Sequence, residues 1–212
     1  FNTDGFQSRT QSAYATYSTA LQNYYATLQT APDSINQFNH PGTTFGDFSD
    51  FAYYSEANDA LITTIEVGNG EGAIGSSGYF PSYEYYTRAL DKGWHVAPTN
   101  NQDNHKGKWG SANTARSVVL ADSLTQDNIY DAMRNYRVYA TEDNDLGIYY
   151  TLDSYIMGTI LDKDVVGDTV ELNVELSDPT DAKLGKVEVI VNGGLSIASK
   201  TVDTAEAAVN FE

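Results

Sequence analysis

Hydrophobic and polar positions alternate along this chain with two different periods. From Phe6 to Gln29, the residues Phe6, Tyr14, Tyr17, Leu21, Tyr24, Tyr25 and Leu28 fall largely at three- and four-residue spacings, which predicts an amphipathic helix. Pro32 stops it, and Asp33-Ser34 make a turn. Ile35–Asn39 reads as a short strand ended by His40-Pro41-Gly42. The aromatic and acidic residues 43–58 read as a loop and a short helix. Leu61–Val67 is nearly continuous and β-branched, the pattern of a buried strand, with Glu66 near its end. Gly70–Gly78 is a Gly/Ser loop without a phosphate-loop signature. Pro81–Lys92 reads as a helix closed by Gly93, and Trp94–Ala97 as a strand leading into a polar loop that reaches Gly110.

The alternation continues with a strand at Ser117–Leu120. A helix then runs from Ser123 to about Arg137, with Thr125 as N-cap and Ile129, Ala132, Met133 and Tyr136 on its buried face. Val138–Ala140 and Leu146–Leu152 read as strands around the acidic turn Thr141–Asp145. That turn lacks the glycine and glutamate that an EF-hand loop needs, so Ca²⁺ binding of that type is not expected. After about Asp162 the period changes to two. Val170, Leu172, Val174 and Leu176 share one face, Lys186–Val191 alternates as well, and Asn192-Gly193-Gly194 is a hairpin turn. No helix intervenes, which predicts the start of a β-sandwich.

Composition narrows the function. The chain has 212 residues, a net charge of −17 and no cysteine. Such an acidic surface argues against a nucleic-acid groove, and the absence of thiols excludes disulfide and thiol chemistry. No apolar run approaches the ~20 residues of a membrane span. Low Lys with abundant Tyr, Asn, Ser and Thr suits an extracellular or cell-surface bacterial protein. Phe1 is not an initiator Met, and a processed chain or a fragment is expected.

The polar loop after Trp94 carries the candidate chemistry. In an extended loop Asp103 and His105, at i and i+2, would point to one side and could bind one metal ion. His40 sits at a strand's carboxyl end, where sites form in α/β folds. Glu66, late in a buried strand, is costly unless paired. Lys106, Lys108 and Arg116 are the local cations that could meet a phosphate. Trp109 is expected to pack under the loop, and His95 to be structural.

In combination, Asn39-His40-Pro41-Gly42, Ile65-Glu66-Val67, Gly93-Trp94 to Pro98, Asp103-Asn104-His105, and Arg137–Thr141 followed by Asp143 resemble the PHP (polymerase and histidinol phosphatase) superfamily over roughly residues 35–162. The resemblance implies an α/β fold class. It implies a partial distorted (β/α)7 barrel in residues 1–163, followed by an incomplete all-β, Ig-like sandwich in residues 164–212. It implies two or three divalent metal ions (Zn, Mn or Fe) in a complete site and hydrolysis of a small phosphorylated substrate or phosphodiester by a metal-activated water. His40, Asp103 and His105 would be metal ligands. Glu66 would stand behind them, with Lys106, Lys108 and Arg116 toward substrate. The family's HxH motif is absent, since the histidines are His40, His95 and His105. The expectation is therefore the C-terminal part of such a domain, inactive alone, whose partner is the missing N-terminal half. A non-catalytic extracellular carbohydrate-binding or adhesion module is the alternative.

Overall fold

The computed structural model describes residues 17–44 and 46–212. Residues 6–16 of the predicted first helix lie outside them. The remainder is α1 (Tyr17–Leu28), which buries Leu21, Tyr25 and Leu28. There follow β1 (Asn36–Phe38), the one-turn segments α2 (Phe48–Phe51) and α3 (Glu56–Asp59), β2 (Ile62–Asn69), β3 (Phe80–Pro81), α4 (Tyr83–Asp91), β4 (Ala97–Asn101), β5 (Arg116–Val119), α5 (Gln126–Arg134) and β6 (Val138–Thr141).

β2 is the axis of the first half, and every residue along it is buried. It pairs in parallel with β1 and with β4, and its end pairs antiparallel with β3. The helical segments cover this sheet, so a continuous apolar strand is what the environment demands. Ile65 and Val67 pack with Phe38, Phe51, Trp94, Tyr85 and Ala89. The Trp94 ring meets Phe38 edge-on at 5.0 Å, and its Nε1 donates to the Phe51 carbonyl at 2.9 Å. Burial of each such large side chain stabilises by roughly 1.5–3 kcal/mol, which makes Trp94 a main fastener between β4's approach and α2.

α2 has an unusual hand. Phe48, Ser49, Asp50 and Phe51 have φ of 56°, 56°, 57° and 53°. With ψ of 47° and 44° at Ser49 and Asp50, this is left-handed helical backbone. For L-residues that conformation costs roughly 1–2 kcal/mol per residue, so its surroundings must hold it.

The second half contains β7 (Gly147–Leu152), β8 (Tyr155–Ile156), β9 (Leu172–Ser177), β10 (Gly185–Val191), β11 (Leu195–Val202) and β12 (Glu206–Phe211). β12, β9, β7 and β8 form one antiparallel sheet in that order, and β10 and β11 form a hairpin. Val174, Val202, Val209 and Phe211 are the small core between them. β7 and β8 precede residue 164 yet share a sheet with β9, so this sheet straddles position 163. At the hairpin tip the Gly193 N–H donates to Asp91 Oδ1 of α4 at 3.1 Å.

The barrel expectation is overturned. Among the described residues there are twelve strands against five α-helical segments, and the strands lie in several small sheets rather than a (β/α)7 barrel. Among the described residues only β1, β2 and β4 pair in parallel; β5 and β6 pair antiparallel with each other. The following strands are likewise a four-stranded sheet and a separate hairpin. Strand–helix alternation is common to closed barrels and open sheets and does not encode closure. No described helix is long and apolar enough to cross a membrane.

Candidate functional site at the carboxyl edge of the parallel strands

The carboxyl ends of β1, β2 and β4 converge on Glu66. This side chain is 3% exposed, and among the described residues no lysine or arginine forms a salt bridge with it, although the His40 imidazole exerts a weak electrostatic pull. Its oxygens accept instead from neutral donors. The His40 N–H reaches Oε2 at 2.5 Å, and Asn101 Nδ2 reaches Oε1 at 2.9 Å. The side chain of Asn69 bonds to it as well. Burial pushes the carboxyl above its ordinary range; the Asn101, Asn69 and His40 hydrogen bonds pull the other way and only partly offset it.

Local sequence builds this arrangement. His40 lies two residues past the end of β1, with φ of 34°. The β2–β4 register shifts between Glu66 and Gly68. A Cβ at position 68 would run into the Tyr79 hydroxyl and the Asn100 side chain, so glycine is required there. Asn100 Nδ2 donates to Tyr79 Oη at 2.8 Å and to the Thr141 carbonyl at 3.1 Å, which ties β4 to β6. Thr99 Oγ1 donates to Gln37 Oε1 at 2.6 Å, which ties β4 to β1.

The Asp103–His105 loop leaves the same edge but is not extended. Asp103 has φ of 43°, and His105 Nδ1 lies 2.6 Å from the Asp103 carbonyl oxygen and 3.9 Å from its Oδ1. Their side chains are 53% and 76% exposed. Asn104 Oδ1 accepts from the N–H groups of Lys106 and Lys108, which rounds the loop into an Asx turn. Asn113 Nδ2 donates to the carbonyls of Gly70 and Gly72, so this loop docks on the Gly/Ser loop.

Two of the three expected cations are otherwise engaged. Lys106 Nζ pairs with Glu71 Oε1 at 2.9 Å and holds that carboxyl below its ordinary range. Arg116 Nη1 donates to the carbonyls of Asn113 and Ala115 and braces its own loop. Lys108 is exposed, and Trp109 is 80% exposed rather than packed beneath the loop. His95 is structural as expected: its N–H and Nδ1 both lie 2.7 Å from oxygens of the buried Asp59 carboxylate.

His40, Asp103 and His105 are not gathered into one ligand set. Among the described residues, the group of three or more His, Asp or Glu whose ligating atoms lie within 4.8 Å of one another is Asp143, Asp178 and Asp181. Asp143 lies in the β6–β7 turn, and Asp178 and Asp181 follow β9. Asp178 Oδ1 accepts from the Asp181 N–H at 3.0 Å. Next to them the hydrogen bond with Asp143 raises the pKa of Asp145. The Asp143-Asn144-Asp145 turn was visible in the sequence, but its partners Asp178 and Asp181 come from a distant turn and carry no local signal. The amides of Asn69, Asn100 and Asn101 were also missed. Two successive asparagines in a strand are unfavourable there, and that was the available sign that their side chains bond to something.

The chain matches no protein-family model, no curated protein and no solved structure. The PHP resemblance therefore stands on the motif residues alone.

Proposed function

We propose that this chain supplies one face of a metal-dependent phosphoesterase site, with His40, Asp103 and His105 as donors at a single sheet edge. One observation carries the reading. Glu66 is a buried carboxyl with no lysine or arginine salt bridge among the described residues, fastened to the His40 peptide and to Asn101 at the strand ends from which the Asp103–His105 loop departs. Perturbed carboxyls at the carboxyl edge of parallel strands mark functional sites.

The donors present do not fit a cluster of two or three metal ions. The chain has three histidines, and His95 is committed to Asp59. His40, Asp103 and His105 do not form a three-donor group in this geometry. A complete cluster would need donors from a second polypeptide segment, and this chain by itself should be inactive. When bound, divalent metal would supply a phosphate-oxygen contact and an activated water. The chain's own contribution is positional: Glu66 fixes the His40 peptide and the Asn101 amide, and Asn104 and Asn113 shape the donor loop. An extracellular or cell-surface setting belongs to the same proposal.

Equilibrium dialysis with Mn²⁺ tests it. Weak binding of about one ion, lost in both His40→Ala and Asp103→Ala, is expected from a partial donor set. Binding that survives both substitutions sinks the reading. The same chain should hydrolyse p-nitrophenyl phosphate with Mn²⁺ no faster than the blank.

A second reading has its own observation. Trp109 and Phe80 are 80% and 61% exposed beside an amide-rich edge, as in surfaces that stack sugars. Saturable quenching of Trp109 fluorescence by a neutral oligosaccharide, without metal, would favour it.

A further inference from the structure

The left-handed turn Phe48–Phe51 is connected to His40 at one end and to α4 at the other. A single residue in this backbone region is ordinary, whereas four in succession without a glycine demand restraint. The restraint comes from two sides. From below, Phe38 packs on Phe48 at 4.7 Å and on Phe51 at 5.3 Å, and Trp94 holds the Phe51 carbonyl. From above, Arg88 Nη2 reaches Asp50 Oδ1 at 2.5 Å and Asp47 Oδ2 at 3.3 Å, and Lys92 Nζ reaches Asp50 Oδ2 at 2.7 Å. Asp47 Oδ1 also accepts from the Asp50 N–H at 3.1 Å, which closes the turn on itself.

The turn is continuous with the loop that carries His40. Gly42 and Gly46 exchange both backbone hydrogen bonds, at 3.0 and 2.9 Å. Gly46 directly precedes Asp47, and Gly42 lies two residues from His40. Between the Glu66 anchor on the His40 N–H and the Arg88 anchor on Asp47, the described residues 40–44 and 46–47 therefore form a short strap fixed at both ends. A strap with one end released would let the His40 peptide leave Glu66.

We propose that Arg88 and Lys92, acting through Asp47 and Asp50, are positioning residues for His40, latching the left-handed turn that sets the strap of residues 40–44 and 46–51 against Glu66. The importance of His40 rests on the proposed site; the latch itself does not. The ion pairs are 37–48% exposed, so each is weak and screened by salt. Their effect comes from converging on one turn that has no glycine to relax it.

Amide hydrogen exchange of the whole chain tests the latch. Arg88→Gln should speed exchange across 40–51 by about tenfold or more, a loss in local opening equilibrium of the size one broken anchor gives. The amides of β2 and β4 should be unchanged. Arg88→Lys should restore part of the protection, and Ser49→Gly added to Arg88→Gln should restore it too, since glycine adopts the left-handed conformation freely. Unchanged exchange in Arg88→Gln, or faster exchange on adding Ser49→Gly, overturns the proposal. If Arg88→Gln unfolds the whole chain, Ser49→Gly alone decides: protection of 40–51 above wild type supports the latch and protection below it refutes it. Mn²⁺ dialysis separates the two claims, because a latch that responds as stated in a chain that binds no Mn²⁺ leaves the latch standing and removes the site.

Discussion

The peptide N–H of His40 lies 2.5 Å from Oε2 of Glu66, so the loop after β1 is fastened to a buried carboxyl in the middle of the sheet. The two residues are far apart in sequence, and neither motif predicts the other. Their contact turns two separate sequence signals into one locus, and most of the consequences below follow from it.

Glu66→Gln should weaken the fold by roughly 1–3 kcal/mol, since the new amide presents a donor to one of two existing donors. The dependence on pH gives the sign. Burial raises the Glu66 pKa above its ordinary value of 4.5 in the folded state. Its stabilising contribution is therefore complete below about 4.5 and is lost as pH rises through the raised folded value. The stability difference between wild type and Glu66→Gln, measured by urea unfolding, should shrink from pH 5 to pH 8. A difference that grows with pH would contradict a raised carboxyl.

Gly68→Ala should destabilise by roughly 1–3 kcal/mol, the cost of forcing a methyl group against Tyr79 and Asn100 in a packed interior. Gly75→Ala is less informative, because its surroundings are open and the positive φ would strain any alanine there. Thermal melts of the Gly68 variant alone and with Tyr79→Phe separate sterics from fold damage: removing the hydroxyl should recover part of the loss.

Asp59→Asn should cost roughly 1–3 kcal/mol, because the buried Asp59 carboxylate accepts from both the N–H and the ring of His95. It should leave Mn²⁺ binding unchanged, since this pair stands at the start of β4 and the donors at its end. Loss of Mn²⁺ binding in this variant would place His95 in the metal-binding set instead.

Asp181→Asn should raise Tm at low ionic strength, because it removes one of three carboxylates crowded within 4.8 Å. The gain should fade in high salt as screening weakens the repulsion. A lowered Tm would mean that the Asp181 carboxylate makes a favourable contact.

Much of the first half was legible because burial and capping leave local marks. β2 came from its β-branched run, α4 from the proline that opens it and the glycine that closes it, and α5 from its spacing; Thr125 caps α5 by accepting from the Asn128 N–H, as its position implied. The Asn192–Gly194 turn likewise joins β10 to β11. β4 was misplaced at its start, since Thr99, Asn100 and Asn101 look like loop residues until their side-chain bonds to Gln37, Tyr79 and Glu66 are seen. The left-handed turn carries no glycine to announce it. Sheet closure was not legible at all, because pairing partners are set by tertiary packing and not by the period of one strand. Of the site residues, His40 and Glu66 were found by position and meet in space, while Asp103 and His105 were found by spacing but lie on a turn that spacing alone could not foresee.

The central claim is that His40, Asp103 and His105 serve one metal-binding edge. Paramagnetic broadening of the histidine imidazole signals by Mn²⁺ tests this most directly. His40 and His105 should broaden together as Mn²⁺ is added, His95 should remain sharp, and Asp103→Ala should abolish the effect on both. Broadening of His105 alone, or equal broadening of all three histidines, would contradict the account.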